Sequence, residues 1–96
     1  MSAPDGAAVR VRIQGRVQGV YYRGWTVEEA EARDLRGWVR NCADGAVEAL
    51  FIGPEAVVRD MIRACRRGPA LAAVVRIDEY PADDDGSVDF RQVPTA

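Results

Sequence analysis

The chain has 96 residues and a net charge of −2, which is room for one domain with a modest core that needs no disulfide or metal. Mild acidity excludes general binding to nucleic acid or anionic membranes, and there is no run of about 18 apolar residues to span a bilayer. All 13 basic residues are arginine and histidine is absent, so the commonest general base and metal ligand is missing. Cys42 and Cys65 form no CxxC pair, and a zinc site would have to be completed by carboxylates. The expectation is therefore no metal, no cofactor and two reduced thiols in a cytoplasmic protein.

Residues 1–8 have neither a basic nor an apolar segment and are expected to form a flexible tail ahead of a domain over 9–93. Val9-Arg10-Val11-Arg12-Ile13 alternates apolar and charged residues, the pattern of a half-buried strand. Residues 15–20 carry two glycines and lead into an amphipathic helix over 22–34, with Glu28, Glu29 and Glu31 beside Trp25, Ala30 and Ala32. A second strand is predicted over 36–42. Asp44-Gly45 between two apolar runs then signals a hairpin, and Val47, Ala49 and Phe51 alternate along a third strand.

Gly53-Pro54-Glu55 opens a second helix, whose buried stripe is Val57, Val58, Met61, Ile62 and Cys65. Gly68-Pro69 closes it. A fourth strand is predicted over 71–77, with a bulge because Val74 and Ile77 break period two. Asp83-Asp84-Asp85-Gly86 lacks a cation-loop ligand pattern and reads as a solvated turn. Val88 and Phe90 mark a short last strand. The order β-α-β-β-α-β plus one strand gives an α+β, ferredoxin-like sandwich: an antiparallel sheet with two helices on one face.

The connection Gly15-Arg16-Val17-Gln18-Gly19-Val20 is the chemically suggestive segment. Glycines in a short strand-to-helix connection let successive main-chain amides converge on one point. Arg23 follows one helical turn later, and amides plus a guanidinium suit a tetrahedral oxyanion. Taken alone, the same glycines also describe a plain tight turn. Arg23 by itself also suits solvent, although a cation in a first helical turn opposes the macrodipole. Asn41 by itself also suits the start of a hairpin.

Two motifs resolve the choice by resemblance. Gly15-x-Val17-Gln18-Gly19-Val20-x-x-Arg23 and Gly37-Trp38-Val39-Arg40-Asn41-x-x-Asp44-Gly45-x-Val47-Glu48-Ala49 resemble the acylphosphatase family over nearly the whole chain. The resemblance implies that loop amides 15–20 (Gly15, Arg16, Val17, Gln18, Gly19 and Val20) and Arg23 hold the phosphate of a small acyl phosphate. It also implies that Asn41 orients the attacking water. The chain departs from the family pattern at Tyr22, where phenylalanine is usual, and at Arg33-Asp34, where many members have Leu-Gly.

The implied chemistry fits a chain without histidine. The leaving group is a carboxylate, which departs without a general acid. Phosphoryl transfer rests on positioning and charge stabilisation. The expected partner is a small acyl phosphate, with no nucleic acid and no membrane, and the expected state is a monomer. The competing reading is a non-catalytic anion-binding or regulatory module of the same fold. An RNA-recognition domain of this topology would need base-stacking aromatics that the strands lack.

Overall fold

The computed structural model describes residues 6–96. Its elements are β1 (Gly6–Arg16), α1 (Tyr22–Ala32), β2 (Arg36–Asn41), β3 (Val47–Pro54), α2 (Glu55–Arg67), β4 (Ala73–Pro81) and β5 (Phe90–Gln92). The strands form one sheet in the order β4-β1-β3-β2-β5. The four longer strands pair antiparallel, and β5 adds a parallel edge beside β2. This is the expected ferredoxin-like sandwich. The tail expected over 1–8 lies outside the described residues as far as position 5. Gly6, Ala7 and Ala8 already belong to β1, opposite Pro54, Gly53 and Ile52.

Both helices lie against the sheet and touch each other. Val9, Val11 and Ile13 of β1 and Val47, Ala49 and Phe51 of β3 supply its buried face. Tyr22, Thr26 and Ala30 of α1 and Val58, Met61, Ile62 and Cys65 of α2 cover that face. Tyr22 is the tyrosine inside: it is 1% exposed and its hydroxyl donates to the Cys65 carbonyl at 2.5 Å. Burial raises the Tyr22 phenol far above its usual range and pushes the Cys65 thiol up to about 12. Neither group reacts near neutral pH.

Other segments also differ from the sequence expectation. Helix α1 stops at Ala32 rather than 34, and β4 spans Ala73–Pro81 rather than 71–77, because it follows β1 along most of its length. The last strand starts at Phe90, with its ring 5.6 Å from Phe51, and leaves Val88 exposed. The predicted bulge is present. Gln14 faces Arg76 and Gly15 faces Val74, so Val75 is the extra residue. Gly15 has φ +131°, and a Cβ there would overlap the Ala73 carbonyl oxygen.

The helix-free face is held by charge. Glu48 of β3 accepts from Arg10 of β1 and Arg40 of β2, each at 2.6 Å. Arg10 lies over the Tyr80 ring and Arg40 over the Trp38 ring. These stems and rings bury Leu50 without a third layer. Desolvation would raise the Glu48 carboxyl, but the two guanidinium hydrogen bonds outweigh it and hold the carboxyl below the usual range. A depressed carboxylate stabilises the fold above its unfolded pKa, and the contribution disappears as pH falls through the folded value. Glu48→Gln should therefore cost about 1–2 kcal/mol at pH 7. Denaturant titrations should show the gap to wild type closing below about pH 4.

Helix α1 ends in a Schellman motif: the Leu35 amide donates to Ala30 and the Asp34 amide to Glu31. Asp34 takes the left-handed position at φ 56°, where glycine is favoured. Its carboxylate makes no hydrogen bond or ion pair among the described residues. Asp34→Gly should stabilise the protein by about 0.5–1 kcal/mol, after allowing for the freer unfolded chain. A rise in the urea midpoint at unchanged slope is the expected observation.

Candidate active site

The end of β1, the loop over residues 17–21, the first turn of α1 and the β2–β3 hairpin meet at one end of the sheet. The loop is anchored by its side chains. Val17 is 1% and Val20 8% exposed, so both reach into the core. Between them, Gln18 Nε2 donates to the carbonyls of Cys42 and Ala46 at 2.9 and 2.8 Å. The hairpin it grips is itself closed by Cys42 donating to Ala46, by Gly45 donating to Cys42 and by Ala46 donating to the Asp44 carboxylate.

With side chains committed to anchoring, the main chain is left for chemistry. Among the described residues, none of the amides of 17–24 donates to a protein acceptor, main-chain or side-chain. Gly19 at φ 74° and Tyr21 at φ 68° lie in left-handed conformations. Alternating hands turn successive N–H groups toward a common centre, and the first turn of α1 adds its own unpaired donors. This turn carries no acidic residue that would compete for them.

Arg23 is the second residue of α1. Most arginines here pair with carboxylates, but among the described residues Arg16, Arg23, Arg66 and Arg67 have no such partner. Of these four only Arg23 is half-buried; the others are exposed. A partly desolvated guanidinium at the positive end of a helix, with no anion of its own, is unfavourable alone and favourable over an oxyanion. Asn41 closes β2 and is the second unusual residue. Its Oδ1 is buried and accepts no hydrogen bond from any described residue. Such an acceptor is costly to leave unmade and is rarely tolerated without a purpose.

The structure thus brings Val17, Gln18, Gly19, Val20, Arg23 and Asn41 to one end of the sheet. Gly15 and Arg16 are the last residues of β1, in register with Val74 and Ala73. Gly15 is glycine because β4 approaches it so closely. The role of Gln18 as a double donor to the hairpin is one that sequence reasoning missed. The only signal was an amide side chain between two buried valines. Tyr21 at the helix N-cap was also missed. A second concavity, about 560 Å³ between residues 6–8, 52–54 and 82–84, lies at the opposite end of β1. Its guanidinium, Arg36, is already bonded to Asp84. Among the described residues no group of three histidine, cysteine or acidic side chains could hold a metal.

The acylphosphatase family matches residues 9–92. The chain belongs to the acylphosphatase family. It is 55% identical over 85 residues to an acylphosphatase from Rhodospirillum rubrum, covering 88% of this chain and 93% of that protein. It superimposes on an acylphosphatase from Bacillus subtilis with a TM-score of 0.87 and 36% identity, covering 90% of this chain and 97% of that one. Against an acylphosphatase from Coxiella burnetii the TM-score is 0.88 at 29% identity, with 93% and 94% covered.

In an acylphosphatase site built this way, Gln18 sets the distance between loop and hairpin. Gln18→Ala should raise KM for benzoyl phosphate several-fold and lower Tm by about 4–8 °C, the shift for a loss near 1 kcal/mol in a domain of this size. Gln18→Glu cannot donate to the two carbonyls and should be worse than alanine in both assays.

Proposed function

We propose that this acylphosphatase holds the phosphate of a small acyl phosphate with the amides of the 15–20 loop, chiefly 17–20, and with Arg23, while Asn41 positions the attacking water. The observation that carries this reading is the run of unpaired amides over 17–24 beside an unpaired, half-buried Arg23. It has the chemistry of a dianion receptor and offers no nucleophile or titratable base. The unpaired Asn41 Oδ1 accepts a hydrogen bond from the water and so aims the water's lone pair at phosphorus.

The step then balances without a protein acid or base. The water oxygen bonds to phosphorus as the bond from phosphorus to the acyl oxygen breaks, and its electron pair leaves on the carboxylate. The water proton passes to a phosphate oxygen of the substrate. The products are the carboxylate and inorganic phosphate. Amides and guanidinium stabilise charge on the equatorial oxygens without having to reorganise. An alkyl phosphate would need its leaving alkoxide protonated, and no acid is provided. Cys65 and Cys42 form no disulfide with each other, which suits a reducing cytoplasm, and one chain supplies every proposed site residue, so a monomer suffices.

Arg23 touches phosphate throughout the reaction, whereas Asn41 touches only the water. Arg23→Ala should therefore weaken competitive inhibition by inorganic phosphate, raise KM and lower kcat. Arg23→Lys should rescue little, because an ammonium lacks the two-pronged contact. Asn41→Ala should lower kcat by about 100-fold or more while leaving phosphate inhibition near wild type. Near-normal kcat in Asn41→Ala, or loss of phosphate inhibition equal to that of Arg23→Ala, would contradict this division of roles.

A further inference from the structure

We infer that Tyr21 and Glu28 form a latch that holds the phosphate-binding loop in its receptive conformation, making Tyr21 a positioning residue for the reaction. The inference rests on the reading that the amides around residue 21 hold phosphate. Tyr21 is the N-cap of α1 and has φ 68° and ψ 19°. A left-handed residue is required there to turn the amides on either side of it inward. At residue 19 glycine supplies the same hand at no steric cost. At residue 21 an aromatic side chain occupies a region that bulky residues avoid, so contacts have to hold it there.

Those contacts are present. The Tyr21 side chain is 63% exposed, yet its ring is laid along the first two turns of α1. It crosses Gly24, where a Cβ would overlap the ring. Its hydroxyl donates to Glu28 Oε2 at 2.6 Å, which also raises the phenol pKa. Gly24 within a helix is otherwise unfavourable. Its place is explained by the ring that lies over it. The Tyr22 ring points the other way, into the core. Tyr21 therefore contributes nothing to the hydrophobic core, and its visible contacts all serve the left-handed turn.

The test compares phosphate inhibition and benzoyl phosphate kinetics across variants of the full chain, with Tm as a check on folding. Releasing the latch lowers the population of the receptive loop, and apparent affinity falls by the same factor. Glu28→Ala and Tyr21→Phe should each raise the phosphate inhibition constant and KM together by about threefold to tenfold, with kcat at saturation within about twofold. Glu28→Gln keeps an acceptor and should restore most of the affinity. Tyr21→Ala should bind phosphate as weakly as Glu28→Ala. Tyr21→Gly should bind nearly as wild type does, because glycine needs no latch. Adding Glu28→Ala to Tyr21→Gly should then change nothing further, which a double-mutant cycle reads directly.

The latch is overturned if Glu28→Ala leaves the phosphate inhibition constant unchanged while Arg23→Ala raises it. It is equally overturned if Tyr21→Gly binds as poorly as Tyr21→Ala, which would make the ring a substrate contact. If Arg23→Ala itself binds phosphate normally, the loop reading fails, and that result is separate from either of these.

Discussion

The double hydrogen bond from Gln18 to the hairpin carbonyls is the contact on which the site depends. It ties the strand-to-helix loop to the β2–β3 turn, and so places the loop amides and Asn41 in one frame. The loop does not hold this geometry alone, whereas the hairpin is closed by its own hydrogen bonds. The loop has no internal main-chain hydrogen bonds among residues 17–20, and the hairpin is a five-residue connection. Val17 and Val20 fix the loop from the core side, and Gln18 fixes it laterally. A rigid frame at both ends lets unpaired donors stay aimed without collapsing onto protein acceptors.

Rigidity at the far end comes from the ends of the helices. Arg33 reaches Glu29 on its own helix and Asp60 on α2, each at 2.9 Å. The Leu35 amide closes the Schellman turn that aims the chain into β2. β2 carries Asn41, so the end of α1 and the direction of β2 are one structural problem. Beyond β2, Val93 and Ala96 donate to the carbonyls of Val39 and Asn41, and Ala43 donates to that of Ala96. The main chain of Asn41 is thus fixed on both edges while its side-chain oxygen stays unpaired.

The sequence made the fold legible where local chemistry had one solution. Asp44-Gly45 is a turn in any context, the stripe from Val57 to Cys65 has only helical period, and the break between Val74 and Ile77 marked the bulge. It was less informative where tertiary pairing decides. β4 ends at Pro81 because β1 extends to meet it, and the adjacent charges Asp78 and Glu79 give no local stop. Gly15 shows why the loop was drawn too long: glycine looks the same whether it serves a turn or a close strand approach, and here it serves the approach. Arg23 and Asn41 were nameable because their types and spacing match a motif. That they are unpaired is a property of the neighbours and no sequence pattern carries it. Tyr21 was illegible for a related reason, since nothing in a tyrosine announces a left-handed backbone.

The positions that break local rules are concentrated in the site. A cation sits in the first turn of a helix, a buried amide oxygen lacks a donor, a tyrosine is left-handed, and a run of amides lacks acceptors. Each would be destabilising by itself; a bound phosphate with its water would relieve the cation, the amides and the Asn41 oxygen, while the Tyr21 turn is held by its own contacts with Gly24 and Glu28. Elsewhere, left-handed Asp34 aside, the chain is locally consistent, as at the clamped Glu48, and that consistency offsets the strain. The arrangement also explains why no histidine is needed. On the proposed roles, selectivity for an acyl phosphate follows from what the site omits: it would stabilise charge on the phosphoryl group and give no proton to the leaving oxygen, so only a leaving group stable as an anion departs readily.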